Sequence, residues 1–112
     1  MTLDSKNFLI FGGVGGIGQA LAESLSEKGH RVFVTTRHVD EAKSKVKLPE
    51  AQIIEADALD ADSIRRATAL AAQEGLHGLA YCIGSIDLKP LARATPEDLM
   101  QCFQLNVIGA FI

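Results

Sequence analysis

Five glycines fall within seven residues, at Gly12, Gly13, Gly15, Gly16 and Gly18, directly after the apolar run Phe8-Leu9-Ile10-Phe11. A run that is apolar on both faces is expected of a strand buried inside a parallel sheet. After the glycines, Ile17, Leu21 and Leu25 recur every four residues. This predicts a helix from about Gly16 to Lys28 with that stripe inward, stopped by Gly29. A glycine turn between a buried strand and a helix start is an anion site. The first helical amides lack internal partners, the helix dipole is positive there, and missing side chains let a diphosphate reach the backbone. The string satisfies Gly13-x-Gly15-x-x-Gly18, Gly12-x-x-Gly15-x-x-Gly18 and Gly12-x-x-x-Gly16-x-Gly18 at once. It therefore points to a dinucleotide, with Val14 and Ile17 between the glycines, without selecting a subclass. A phosphate-cradling NTPase loop would need Lys and then Ser or Thr after the last glycine, where Gln19 and Ala20 stand.

The remaining chain alternates in the same way. Arg31-Val32-Phe33-Val34-Thr35 and Gln52-Ile53-Ile54-Glu55 read as the second and third strands, and Leu79 to Ile83 as the fourth. His38 to Lys47 predicts a short helix ended by Pro49. Asp60 or Asp62 caps another that runs to about Gln73, with Ile64, Ala67, Leu70 and Ala71 inward and Gly75 at its end. A loop with Gly84, Pro90 and Leu91 follows the fourth strand. Thr95-Pro96-Glu97-Asp98 then starts a last helix with a hydroxyl cap, a first-turn proline and two acids. Strand–helix alternation implies parallel pairing through right-handed crossovers. The expected fold is α/β, a doubly wound parallel sheet of order 3-2-1-4, with a ligand-binding switch point beside the first strand. Residues 1–112 are expected to form one domain. A formal charge of −3 without a basic block excludes a nucleic-acid footprint. The run Leu79-Ala80-Tyr81-Cys82-Ile83 is far short of the roughly 18–20 residues a membrane span needs. The polar start from Met1 to Asn7 lacks the apolar core of a secretion signal. Cys82 and Cys102 are expected to be free buried thiols, which points to a soluble, cytoplasmic protein.

The end of the second strand bears on which dinucleotide. An NAD site places an acid there, about 20 residues past the glycines, to accept from ribose hydroxyls. Here the residues are Thr36-Arg37-His38. No carboxylate repels a 2′-phosphate, and a guanidinium suits phosphate oxygens. NADP(H) is the expected cofactor, with NAD(H) as the alternative. Arg37 read without a ligand is an exposed strand-end arginine, and His38 a surface histidine. His30 and His77 sit in turns and are expected to be solvated.

Four features together resemble the short-chain dehydrogenases/reductases across essentially the whole chain. They are Gly12-x-x-x-Gly16-Ile17-Gly18, Asp57 after the third strand, Tyr81-Cys82-Ile83-Gly84 at the end of the fourth, and Leu105-Asn106-Val107 in the last helix. The resemblance implies a Rossmann-type fold and hydride transfer between a nicotinamide and a carbonyl or alcohol substrate. By resemblance, Asp57 and Ala58 bind the adenine, Cys82, Ile83 and Gly84 lie beside the cofactor, and Asn106 supports a proton relay to a catalytic lysine. The family is commonly dimeric or tetrameric. Two departures stand out: Phe11 replaces a threonine ahead of the glycines, and Tyr81-Cys82 replaces an asparagine pair. Those polar residues normally brace the loop to the central strands, so packing is expected to do so here. Asn106 also falls on an apolar stripe with Leu99, Phe103, Val107 and Ala110, where a core asparagine would need backbone partners.

The family's catalytic tyrosine is followed four residues later by lysine. The sole tyrosine here, Tyr81, is followed at that distance by Ser85. The chain reaches Ile112 inside a bulky apolar helical pattern. The expectation is the N-terminal, cofactor-binding part of a reductase, cut before its Tyr–Lys segment. The competing expectation is a dinucleotide-binding module or sensor without chemistry.

Overall fold

The computed structural model describes residues 5–49, 52–85 and 88–112. The first four residues of the polar start, and Ile86 and Asp87 of the loop after the fourth strand, lie outside the described residues. Strand β1 (Asn7–Phe11) leads into helix α1 (Gly16–Glu27), β2 (Arg31–Thr36), α2 (Val39–Lys45), β3 (Ile53–Glu55), α3 (Ala61–Ala71) and β4 (Gly78–Tyr81). A 3-10 turn at Leu91–Arg93 precedes α4 (Pro96–Phe103), which continues through a π-helical turn, Gln104–Ile108, into the short α5 (Gly109–Phe111).

All pairings are parallel in the order β3-β2-β1-β4, with Leu9 opposite both Phe33 and Leu79. Successive side chains of β1 leave on opposite faces, so each face needs its own cover. Leu9 and Phe11 join Phe33, Ile54 and the α3 residues Ile64, Ala67 and Ala71. Ile10 joins Val32 and Val34 against Ala22 of α1 and Ala42 of α2. Helices on both faces of a parallel sheet make the doubly wound architecture, as expected.

Strand and helix ends differ from the sequence expectation by at most two residues, and three inward assignments change. Ile17 is 80% exposed; α1 instead turns Gly18 and Ala22 to the sheet. The cause is the close approach of Gly18 to the Gly12 carbonyl, which sets the rotation of the helix. Leu70 is 49% exposed, and Ser63 takes the buried place beside Ile64 because its oxygen is needed by the Asp57 amide. On α4 and α5 the apolar stripe points outward. Leu99 and Phe103 are exposed, while Cys102, Leu105, Asn106 and Gly109 form the more covered side. His30 and His77 are also more than solvated turn residues: their Nδ1 atoms accept the amides of Lys6 and Asn7 and anchor the entry of β1.

Candidate functional site

Tight backbone contacts shape the glycine turn. Gly12 has φ +81°, and a Cβ there would sit 2.8 Å from the Ile83 side chain and 2.9 Å from the Cys82 carbonyl. A Cβ on Gly13 would enter the Val34 side chain, and one on Gly18 would strike the Gly12 carbonyl oxygen. These three glycines therefore let the turn lie flat against β2, β4 and the first turn of α1.

The missing threonine before the glycines has a substitute. Thr35 of β2 is 1% exposed; its hydroxyl accepts the Gly12 N–H at 3.3 Å and its carbonyl accepts the Gly13 N–H at 3.3 Å. Phe11 instead packs into the α3 side of the core, 6.0 Å from the Tyr81 ring. Polar bracing thus comes from the neighbouring strand, which corrects the expectation that packing alone holds the loop. Gly15 donates back to Gly12 and caps α1 without a side chain. The first helical amides, those of Gly16, Ile17 and Gly18, have no carbonyl one turn earlier within the helix; Gly16 and Ile17 are exposed, whereas Gly18 is buried against the Gly12 carbonyl.

These elements border a cleft of about 530 Å³ at the carboxyl ends of the strands. Gly12, Val14 and Gly15 line it from the turn, and Thr36, Arg37 and His38 from the end of β2. Asp57 and Ala58 line it after β3, and Ile83 and Gly84 after β4. Four other predicted glycine-turn residues, Gly13, Gly16, Ile17 and Gly18, are not in this lining. Cys82 is not either: it packs on the α1 side of the sheet with Ile10 and Ala22, so only its backbone faces the turn. Asn106 also lies behind the lining, reaching it through Ser85.

Local hydrogen bonds aim the polar groups. Thr36 Oγ1 accepts the His38 N–H at 3.1 Å and folds the strand end over. Arg37 is exposed and has no carboxylate partner among the described residues. Asp57 Oδ1 accepts the Leu59 N–H at 2.9 Å, and the Asp57 N–H donates to Ser63 Oγ at 2.8 Å. Asp57 is therefore both a turn-forming acid and a cleft residue, with its second oxygen outside that turn. Asn106 Oδ1 accepts the Ser85 N–H at 3.0 Å, while its Nδ2 donates to Ser85 O at 3.1 Å and Cys102 O at 2.8 Å. Its amide is satisfied by the backbone of the loop after β4 and of its own helix, on a half-buried residue rather than in the apolar core.

Sequence reasoning missed Thr35, Glu41, Ala56, Leu59, Ser85, Gln101 and Leu105, all of which border the cleft. Glu41, four residues after Arg37 at the start of a helix, and Ala56 and Leu59, flanking Asp57 and Ala58, had local signals. The others depend on strand register or on the path of the last helix.

The profile described as short chain dehydrogenase matches residues 6–112. Among similar proteins, a 3-dehydrosphinganine reductase from Arabidopsis thaliana is 30% identical over 97% of this chain and 35% of its own length. Versicolorin reductase 1 from Aspergillus parasiticus is 32% identical over 97% of this chain and 45% of its own. The chain thus spans less than half the length of these relatives. Among solved structures, a short-chain type dehydrogenase/reductase from Mycobacterium ulcerans superposes with TM-score 0.83 at 27% identity, over 99% of this chain and 44% of that one. A 3-ketoacyl-(acyl-carrier-protein) reductase from Brucella melitensis, complexed with NADH, shares the fold at TM-score 0.83 and 20% identity over 98% and 48%. ElxO with NADP bound does so at TM-score 0.77 and 23% identity over 96% and 46%.

Proposed function

The chain belongs to the short-chain dehydrogenase family, and from that premise we propose that it supplies the cofactor-binding half of an NADP(H)-dependent oxidoreductase acting on a small carbonyl or alcohol substrate. The observation that carries this reading is the cleft itself, where a glycine turn, a strand-end arginine and a partly free carboxylate border one space. The contacts of Gly12, Gly13 and Gly18 fit such a ligand, since each absent side chain keeps the turn pressed down and open to a diphosphate.

When bound, the nicotinamide would supply or take up hydride. The rest falls to the chain's own groups. The amides of Gly16 and Ile17, at the positive end of α1, hold the diphosphate with Gly15 and Val14 beside them, while Gly18 keeps the helix pressed onto the turn. Arg37, with His38 near it, takes the 2′-phosphate through paired N–H donors. Asp57 receives the adenine through its carboxylate and Ala58 through its backbone. Ile83 and Gly84, with the Cys82 backbone, border the cofactor on the β4 side, and Asn106 holds the following loop while serving the proton relay. The exposed stripe of Leu99, Phe103 and Phe111 supports a homo-oligomer, and the free thiols Cys82 and Cys102 support a cytoplasmic setting.

Glu41 favours a second reading, NAD(H), because its residue borders the cleft beside Arg37 and a carboxylate there would accept from ribose hydroxyls. Titration with NADPH and NADH, followed by nicotinamide fluorescence, separates the two. With NADP(H), Arg37→Asp weakens NADPH binding at least tenfold and NADH binding little, and Glu41→Gln raises the NADPH:NADH preference severalfold. Equal loss of both cofactors in Arg37→Asp would sink the assignment, and no binding of either by the unaltered chain would sink the function.

A further inference from the structure

We propose that Tyr81 is a positioning residue for Asn106: its hydroxyl takes the Leu105 carbonyl out of the helical ladder, and the wide turn so formed carries the Asn106 amide onto the Ser85 backbone. Three observations meet here. First, Tyr81, at the end of β4, donates its hydroxyl proton to Leu105 O at 2.5 Å across the gap between sheet and helix. In a regular α-helix the Gly109 N–H would bond that same carbonyl.

Second, the Gly109 N–H instead reaches back five residues to Gln104 O, and the helix widens into a π turn over Gln104–Ile108. Such turns arise where a group inserts into the ladder. Gly109 is the residue that permits the insertion. A Cβ there would collide with the Tyr81 hydroxyl and lie 3.1 Å from the Ala58 carbonyl oxygen. Third, Asn106 sits inside the widened turn and clamps Ser85 from both sides, its Oδ1 on the amide and its Nδ2 on the carbonyl. A Cβ on Gly84 would be 2.7 Å from that Oδ1, so Gly84 leaves the room the clamp needs. Gly84 and Ser85 both border the cleft. Tyr81, standing where the resembling family has asparagine, thus couples the end of β4 to the cleft wall through Leu105, Gly109 and Asn106.

The inference rests on reading Asn106 as a residue that serves this cleft, but its test needs no cofactor. In the isotopically labelled, unaltered chain, the sole tyrosine should give a slowly exchanging hydroxyl proton with magnetisation transfer to Leu105 and Gly109. Tyr81→Phe keeps the ring against Phe11 and removes the donor. It should move the Asn106 side-chain amide resonances and speed Ser85 amide exchange at least tenfold, leaving Val34 exchange unchanged. A folded Tyr81→Phe variant with unaltered Asn106 signals and Ser85 exchange overturns the proposal, as does a rapidly exchanging hydroxyl in the unaltered chain. Failure of NADPH to bind would remove the proposed function without touching this result.

Discussion

Thr35 carries two tasks in one side chain and one carbonyl, and both concern the glycine turn. Its hydroxyl and its carbonyl hold consecutive amides, those of Gly12 and Gly13, against β2. Thr35→Val keeps the shape and removes one acceptor, leaving the Gly12 N–H without a protein partner. The expected cost is about 1 kcal/mol in urea unfolding, because a hydrogen bond is lost at a part-buried donor. NADPH affinity should fall with it; unchanged stability would show that the hydroxyl does not brace the turn. Asp57 was picked out by the family resemblance. Thr35 was not, since nothing in Val34-Thr35-Thr36 indicates that its hydroxyl lies opposite a glycine turn more than twenty residues earlier. Only the register pairing Phe11 with Thr35 brings them together.

The helix starts are the elements read most directly. Asp60 accepts the Asp62 and Ser63 amides at the head of α3, and Thr95 and Asp98 form a reciprocal capping box on α4. Each device spans four residues, so it is written locally. Asp98 also bonds Lys89 at 2.9 Å, and that hydrogen bond, followed by the one from the Thr95 amide, holds its carboxyl below the ordinary carboxylate range. Its folded value is depressed, so its contribution is present above the unfolded value of about 4 and is lost as pH falls through the lower folded one. Amide exchange in the first turn of α4 should therefore accelerate only under that acid. Lys89→Met should bring the onset to higher pH, and an unchanged onset would contradict the Lys89 contribution. Helix faces were harder. The period of α1 and α3 was right, but Ile17 and Leu70 fall on the rim because the actual rotation is set by Gly18 against Gly12 and by Ser63 beneath Asp57.

The molecule measures 57 × 24 × 23 Å, with a radius of gyration of 15.2 Å. A compact chain of this length would be close to 13 Å, so part of the chain stands away from the core. Leu99, Phe103, Val107 and Phe111 recur every four residues on the last helical segment and are all exposed. No helix among the described residues is long and apolar enough to cross a membrane. An apolar face of this kind favours association. Sedimentation of the unaltered chain should show concentration-dependent self-association that Leu99→Lys with Phe103→Lys reduces, with helical content retained. Association unaffected by the pair would place the contact elsewhere, for instance at the outer edge of β4, which pairs with no further strand among the described residues and where Leu79 is 53% exposed. What the amino-acid order determined by itself is the alternation of elements, their caps, the parallel sheet and the glycine turn, because these depend on spacing over a few residues and on the handedness of crossovers. What only the tertiary structure decided is which side chains complete the cleft. Thr35, Glu41, Ser85 and the Tyr81–Asn106 link come from segments far apart in sequence. They meet through strand register, helix rotation and one widened helical turn, none of which a local pattern specifies.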